Sequence, residues 1–243
     1  MKARELFQAG KLDEAIEALG AELRDNPLDA QRRTFLFELL CFAGRYDRAE
    51  KQLDVLARGG QQAEMGALLY RSALHAERTR QAMFEGGNTP PASAAATPVA
   101  GTLNGERFTS LADADPRVGP RLELFAAGQY TWIPLAHVAS VRVEAPRRLR
   151  DLLWAPAIVK TGPLFRGVEL GEVLIPVLAP LSWKHPDGNV RLGRVTEWQE
   201  LDGGGADDEP RQAPVGQKLF LVDGEAEFPL LEIRELVIDA PAS

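Results

Sequence analysis

Apolar residues in the first 85 positions recur at the three- and four-residue spacing that is typical of amphipathic helices. The spacing predicts helices at about 2–9, 12–25, 30–43, 46–58 and 61–84. From about residue 106 onward, the pattern changes to short apolar runs, several of which alternate with period two and are broken by Gly, Pro and Asp. The pattern therefore predicts a helical N-terminal part that is followed by a part rich in short strands.

The N-terminal helices repeat with a period of 34 residues. The strings AGKLDEAI and AGRYDRAE align at that offset, and they pair Gly10 with Gly44 and Ala15 with Ala49. A period of this length is that of tetratricopeptide helix hairpins. Glycine suits the turn within each hairpin, where the backbone needs conformational freedom. Such arrays present a concave face that often holds a partner's helix, so binding is the expected function of this part.

A change in composition separates the two parts. Residues 86–105 are rich in Gly, Pro, Ala, Ser and Thr, a composition that neither builds a core nor sustains a regular element. We therefore expect a helical tetratricopeptide-like domain in residues 1–85, a linker in 86–105, and an α+β domain in 106–243. The many short strands favour a mainly antiparallel sheet or a partly closed barrel for this second domain.

One predicted helix is apolar nearly all round. Residues 35–43 read FLFELLCFA, in which Glu38 is the one polar residue. Because a surface helix normally has a single apolar stripe, this helix either lies covered at the centre of the array or offers a face to a partner helix. A face of the second domain that bears tryptophans is the competing location. The candidate partner-binding residues are Arg33, Phe35, Phe37, Phe42, Trp132 and Trp154.

Charge and apolar run length narrow the class of partner. The net charge is −7, which argues against nucleic acid or an anionic membrane surface as the main partner, since both recruit basic patches. No apolar run reaches the roughly 18–20 residues of a membrane span, which predicts no membrane insertion. The N-terminus has no apolar centre of a signal peptide. These features predict a soluble, cytoplasmic protein.

Sequence motifs that carry catalysis are scarce. The chain has one cysteine, Cys41, and three histidines, His75, His137 and His185. It contains no GxxxxGK[ST] phosphate loop, no GxGxxG after a strand and no GxSxG elbow. The acidic loop 202–210 lacks the ligand spacing of a calcium loop. We therefore expect no catalytic residues, no cofactor and no metal.

Two other classes of function stay open at this point. A small-molecule-binding or hydrolytic enzyme domain in residues 106–243 would need acid–base groups that converge within direct or one-water reach of a substrate. The residues available for it are Asp115, Arg117, His137, Asp151 and His185. A general peptide-binding chaperone would instead bind unrelated apolar peptides as well as a specific helix.

Several blocks of the chain resemble one known family. They are RRTFLFELLCFAGRYDRAEKQLDVLA (32–57), DPRVGPRLEL (115–124), GQYTWIPLAHVASV (128–141) and RRLRDLLWAPA (147–157). They are similar to blocks of the ImpE family, also called SciE or TagJ, whose members are accessory proteins of the bacterial type VI secretion system. The resemblance implies a non-catalytic adaptor that binds the N-terminal helix of the small sheath subunit, TssB or VipA. It also implies that the protein modulates sheath disassembly by the ClpV ATPase.

Overall fold

The computed structural model describes residues 2–90, 98–165, 169–201 and 211–240. The helical part holds five helices within its described residues. They are α1 (Lys2–Gln8), α2 (Leu12–Asp25), α3 (Ala30–Phe42), α4 (Tyr46–Leu56) and α5 (Gln61–Glu85). Every bound lies within two residues of the prediction, so the helical, tetratricopeptide-like start of the chain is confirmed.

The two repeat glycines form the turns between paired helices. Gly10 follows α1 with φ +76°, and Gly44 follows α3 with φ +65°. This left-handed conformation is costly for residues with a Cβ atom, so glycine is favoured just after a helix. The local requirement for glycine explains why the two turns recur at the same repeat position.

The second part is built from strands. Within the described residues they are β1 (Gly101–Leu103), β2 (Glu106–Phe108), β3 (Leu111–Asp113), β4 (Arg121–Ala126), β5 (Gln129–Pro134), β6 (Val138–Val143), β7 (Trp154–Thr161), β8 (Glu169–Pro176), β9 (Glu197–Glu200), β10 (Gln212–Val215), β11 (Leu219–Val222), β12 (Ala226–Pro229) and β13 (Glu235–Ile238). A short helix, α6 (Gly188–Arg191), lies between β8 and β9.

Antiparallel pairing dominates the second part. Eight strands form one sheet in the order β2-β1-β13-β6-β7-β8-β4-β5, and β12-β11-β3 and β10-β9 form smaller sheets. Every pairing between these described strands is antiparallel. The predicted α+β class with a mainly antiparallel sheet is confirmed. The large sheet is open, because β2 and β5 form its two edges and do not pair with each other.

The central strand β7 differs from its sequence pattern. The leucine-rich run before it predicts a short helix over 147–154, but only Leu149–Leu152 form a 3-10 turn. β7 also contains Pro156, which lacks a backbone N–H and is rare in central strands. The Pro156 carbonyl accepts a hydrogen bond from the backbone N–H of Glu144 at 3.3 Å. The pairing with β6 and β8 therefore overrides the local pattern.

The helical part and the strand-rich part share one apolar core. One buried cluster joins residues of the first four helices and α5 to Phe125, Leu153, Trp154 and Leu192 of the second part. A separate cluster lies within the sheets. In the predicted linker, Gly101–Leu103 pair with β13 and β2, and residues 91–97 lie outside the described residues. The division of the chain into two domains remains a prediction.

Buried charges fasten α5 to the sheet. Arg80, which is 1% exposed, donates a hydrogen bond to Glu123 on β4 at 2.8 Å and to Glu77 at 3.2 Å. Lys218 forms ion pairs with Glu123 and with Asp113. Burial raises the pKa of Asp113 to about 6. Burial also opposes ionisation of Glu123, but Arg80 and Lys218 hold its pKa below the usual range. Buried charges are tolerated only with such partners.

The segment after β8 packs across the two hairpin turns. A Cβ atom on Gly44 would lie 2.5 Å from the ring of Trp183, and one on Gly10 would lie 2.4 Å from the side chain of Asn189. Real Cβ atoms do not approach other atoms so closely. Gly10 and Gly44 therefore have two roles. They adopt the backbone conformation of the turns, and their lack of a Cβ atom lets Asn189 and Trp183 of the second part pack closely against those turns.

Candidate partner-binding groove

A groove of about 640 Å³ opens between α1 and α3. Its lining residues come from α1, from α3 and from the 3-10 turn of the second part: Arg4, Phe7, Gln8, Ala30, Gln31, Thr34, Phe35, Glu38 and Leu149. The size is that of a ligand-binding cleft. An apolar floor with a polar rim is the arrangement that recognises an amphipathic helix.

Two aromatic rings form the apolar part of the groove. Phe7 and Phe35 meet edge to face, with ring centroids 5.5 Å apart, and both are half-buried. The guanidinium of Arg194 lies 4.6 Å from the Phe7 ring centroid, and its Nη1 donates a hydrogen bond to the carbonyl of Gln8 at 3.0 Å. Half-exposed aromatic side chains in a pocket are the kind of anchor that dominates binding energy in interfaces.

Glu38 places a carboxyl group in the same groove. Its side chain is nearly covered, with 7% exposed. Burial raises the pKa of Glu38 to about 7, although the nearby Arg150 and Arg148 favour its charged form. With this pKa, both the protonated and the ionised form are present near neutral pH. The protonated carboxyl can donate a hydrogen bond to an occupant of the groove, and the carboxylate can accept one from it.

A second apolar surface lies on α5. Three of its side chains are largely exposed: Met65 (67%), Leu68 (63%) and Leu69 (53%). They follow Gln31, Thr34 and Phe35 of the groove by 34 residues. By the repeat period, they occupy the same positions on the next helix of the array. Isolated exposed apolar residues are ordinary, but three neighbours on one helix face mark a contact surface.

The structure buries three of the predicted partner-binding residues. Phe37, Phe42 and Trp154 are 1%, 0% and 2% exposed. The indole N–H of Trp154 donates to Glu77 at 2.9 Å, which ties it to α5. Phe37 and Phe42 are buried because α3 packs between α2 and α4 and is also covered by the second part. Of the six predicted residues, Phe35 alone lines the groove.

Arg33 and Trp132 point to other surfaces. Arg33 donates hydrogen bonds to the Gln52 side chain at 2.7 Å and to the Pro27 carbonyl, so it ties α3 to α4. Trp132 is half-buried on β5, and the Arg121 guanidinium lies 4.3 Å from its ring centroid. The structure therefore does not bring the six predicted residues to one surface.

The remaining groove residues were missed by the sequence reasoning. Arg4, Phe7 and Gln8 have the i, i+3, i+4 spacing of one helix face, and that spacing could have identified the α1 wall. Glu38 stood out as the one polar residue of an apolar run, which is a signal for a buried functional group. No local signal could have identified Leu149, because it reaches the groove from a distant part of the chain.

The residues considered for acid–base chemistry mostly have separate local partners. Asp115 forms an ion pair with Arg117 at 2.7 Å, and His137 stacks on Phe165. Asp151 accepts hydrogen bonds from the backbone N–H groups of Arg147 and Arg148. The Nδ1 atom of His185 accepts a hydrogen bond from the backbone N–H of Asp187 at 3.1 Å. Arg117 and His185 also line a common cleft of about 630 Å³. The other three residues do not line that cleft.

Among the described residues, no group of three or more His, Cys, Asp or Glu side chains is placed to hold a metal ion. The acidic loop 202–210 lies outside those residues. In the described part of the chain, no helix combines the length and apolar character needed to cross a bilayer.

Known proteins resemble both parts of the chain. The family model described as ImpE protein matches residues 105–237, and a tetratricopeptide-repeat model matches residues 6–71. The type VI secretion system accessory component TagJ of Pseudomonas aeruginosa is 35% identical over 269 aligned residues, which cover 97% of this chain and 90% of that protein.

A solved structure shares the fold. The crystal structure of protein VPA1032 from Vibrio parahaemolyticus matches with a TM-score of 0.83 and 23% identity. The match covers 98% of each chain. Because it extends over both parts, the whole architecture recurs in that protein.

Proposed function

This chain belongs to the ImpE family, and from that premise we propose that it is an accessory protein of a bacterial type VI secretion system that acts by binding. Its relative in Pseudomonas aeruginosa is named for such a role. The helical hairpins support a binding role, because arrays of this type hold partner segments on one face. The proposal includes a non-catalytic adaptor activity in the cytoplasm.

The proposed partner is the N-terminal helix of the small sheath subunit, TssB or VipA. One observation carries this proposal: the groove between α1 and α3 presents two half-exposed aromatic rings, Phe7 and Phe35, beside a polar rim. An amphipathic helix that lays its apolar face on these rings would bury them. Anchors of this kind contribute about 2 kcal/mol or more when they are truncated.

A further part of the proposal concerns the sheath cycle. By holding the sheath helix, the protein would modulate how the ClpV ATPase disassembles contracted sheaths. This can be tested by measuring ATPase-driven disassembly of purified sheaths with and without the full-length protein. The proposal is supported if the unchanged protein alters the rate of sheath disassembly and the groove variant Phe35→Ala does not. It is contradicted if the disassembly rate is the same in all samples.

The direct test is a binding titration. A labelled peptide with the sequence of the sheath subunit's N-terminal helix is titrated with the full-length protein and its variants. Phe35→Ala removes an anchor, and Gln31→Trp adds bulk at an exposed groove position. We expect both to weaken binding at least about tenfold, since the loss of one anchor corresponds to more than 1.4 kcal/mol.

Matched controls locate the effect. Phe165→Ala removes a ring that is 46% exposed in the second part, and Gln212→Trp adds the same bulk at the exposed first residue of β10. Both should bind the peptide as the unchanged protein does. Equal loss in groove and control variants, or no binding by the unchanged protein, would contradict the proposed site. An unrelated apolar helix that competes equally well would favour a general chaperone.

A further inference from the structure

Four arginines lie in the groove or next to residues that line it. Arg4 lines it from α1, and Arg194 lies over the ring of Phe7. Arg148 and Arg150 flank Leu149, and both are close enough to favour the charged form of Glu38. We call these four residues, Arg4, Arg148, Arg150 and Arg194, the arginine collar.

The arginine collar lacks carboxylate partners. In the described part of the chain, none of its four guanidinium groups forms an ion pair within 4 Å. The Nε of Arg150 is buried without a hydrogen-bond partner, and its guanidinium lies 4.7 Å from the ring centroid of Tyr70. Burial lowers the pKa of Arg194, and no carboxylate offsets the effect. Arg150 and Arg194 are therefore partly desolvated, and within the described residues neither has a carboxylate at ion-pair distance.

Several other arginines of the helical part form ion pairs with carboxylates. Arg32 bonds with Glu22 at 3.1 Å, and Arg78 bonds with Glu50 at 2.8 Å. Arg45 bonds with Asp13 at 2.5 Å. The chain carries a net charge of −7, so carboxylates are abundant on its surface. Against this negative total, the arginine collar concentrates positive charge beside the groove.

Two carboxyl groups lie close to the collar without neutralising it. Glu38 exchanges its proton near pH 7, because burial raises its pKa to about that value. Asp151 accepts hydrogen bonds from the backbone N–H groups of Arg147 and Arg148, both at 2.9 Å. Four arginines therefore face at most two negative charges, and the rim of the groove stays positive.

We propose that the groove accepts an amphipathic helix whose apolar stripe is flanked by carboxylates, so that aspartate or glutamate side chains of the partner meet the arginine collar. The inference rests on the proposed function, because it concerns the same groove and names the chemistry of its occupant. Complementary rim charges accelerate association and exclude partners of the wrong sign. Apolar contact with Phe7 and Phe35 provides affinity, and the arginine collar provides selectivity for helices with flanking carboxylates.

Designed helices provide the test. Two 16-residue peptides share one leucine stripe and differ in the flanking positions, which are glutamate in one and lysine in the other. Both are titrated against the full-length protein at 50 and 500 mM NaCl. We expect the glutamate peptide to bind at least about tenfold more tightly at low salt, with the preference largely lost at high salt, because salt screens exposed charges.

Charge reversal of the collar tests the same point from the protein's side. The double variant Arg4→Glu/Arg148→Glu changes two exposed side chains that form no ion pair within 4 Å in the described part of the chain. Arg24→Glu/Arg58→Glu is the matched control, because it changes the net charge equally at exposed positions outside the groove. We expect only the collar variant to lose the preference for the glutamate peptide.

The outcomes separate the two proposals. Equal binding of both designed peptides, a preference for lysine, or equal loss in collar and control variants would overturn the collar inference. If the sheath peptide still depended on Phe35 in that case, the proposed function would stand without it. Concentration-dependent dimerisation that Gln31→Trp abolishes would show that a second copy fills the groove, and it would also overturn the inference.

Discussion

The helical part has one closed face and one open face. Toward the sheet, every charged side chain of α5 that is buried finds a partner: Arg80 meets Glu123, and Glu77 accepts from Trp154. Gln81 accepts from the backbone N–H of Leu181 and from the indole N–H of Trp183. Around the groove, by contrast, aromatic rings are half-exposed, and within the described residues no arginine of the collar forms an ion pair within 4 Å. The buried polar groups of α5 are therefore paired within the protein, whereas the groove presents aromatic and cationic groups that a partner can contact.

Removing a charge from the closed face should have the largest effect. Lys218→Met leaves Asp113 and Glu123 without their shared cation in a buried site. We expect a loss of about 3–5 kcal/mol in the free energy of unfolding, measured by urea denaturation, because an uncompensated buried charge is costly. Lys51→Met, at an exposed position on α4, is the control and should change stability by less than about 0.5 kcal/mol. A similar small change for Lys218→Met would refute the importance of the network.

Gly44→Ala should have the next largest effect. The new Cβ would be in the left-handed region and 2.5 Å from the ring of Trp183, so we expect a loss of about 2–4 kcal/mol. Gly87→Ala has nearly the same φ, of +64°, but nothing lies within 4 Å of its added Cβ. It should cost only about 1–2 kcal/mol. Thermal unfolding of both variants measures the difference, and equal losses would show that close packing on the turn contributes nothing.

The pH dependence of stability tests Glu38. Its folded-state pKa of about 7 lies above the value of 4.5 for an ordinary glutamate, so protonation favours the folded state. The stability of the unchanged protein should therefore fall as pH rises from about 4.5 to 7, and then level off. Glu38→Gln stays neutral, and it should gain roughly 2–3 kcal/mol relative to the unchanged protein between pH 5 and pH 8. Glu64→Gln, at an exposed position, should show no such gain.

The groove itself should contribute least to stability. Phe35→Ala is expected to cost about 1–2 kcal/mol in the free energy of unfolding, because the ring is already half-exposed. Phe37→Ala, two positions along the same helix, should cost about 3–5 kcal/mol because that ring is 1% exposed. Peptide binding should show the opposite order when the variants are compared under conditions in which both are folded. An equal cost in stability would contradict the distinction between open groove and core.

Helices were the most predictable elements because their signals are local. Apolar spacing placed all five within two residues, and the repeat placed the turns at Gly10 and Gly44. β7 was less predictable, since Pro156 and the leucine-rich run before it favour other conformations. Its position in the sheet depends on pairing with β6 and β8, which lie at other places in the chain.

The candidate groove was predictable only in part. The apolar run 35–43 indicated where a partner could bind, but it could not separate Phe35, which faces the groove, from Phe37 and Phe42, which face the core. That separation depends on which sides of α3 the neighbouring helices and the second part cover. Trp154 was a candidate as part of a tryptophan-bearing face of the second part, but its side chain is 2% exposed and its indole N–H donates to Glu77.

The sequence by itself determined the helical repeat, the antiparallel strand-rich part and the family, because spacing, turn residues and blocks that resemble a known family are properties of neighbouring positions. Only the tertiary structure decided that the two parts share a core, that the repeat glycines also admit Trp183 and Asn189, and that four arginines meet around one groove. Those arrangements join residues far apart in the chain. Their free energy comes from burial and ion pairing across the fold, which no local pattern records.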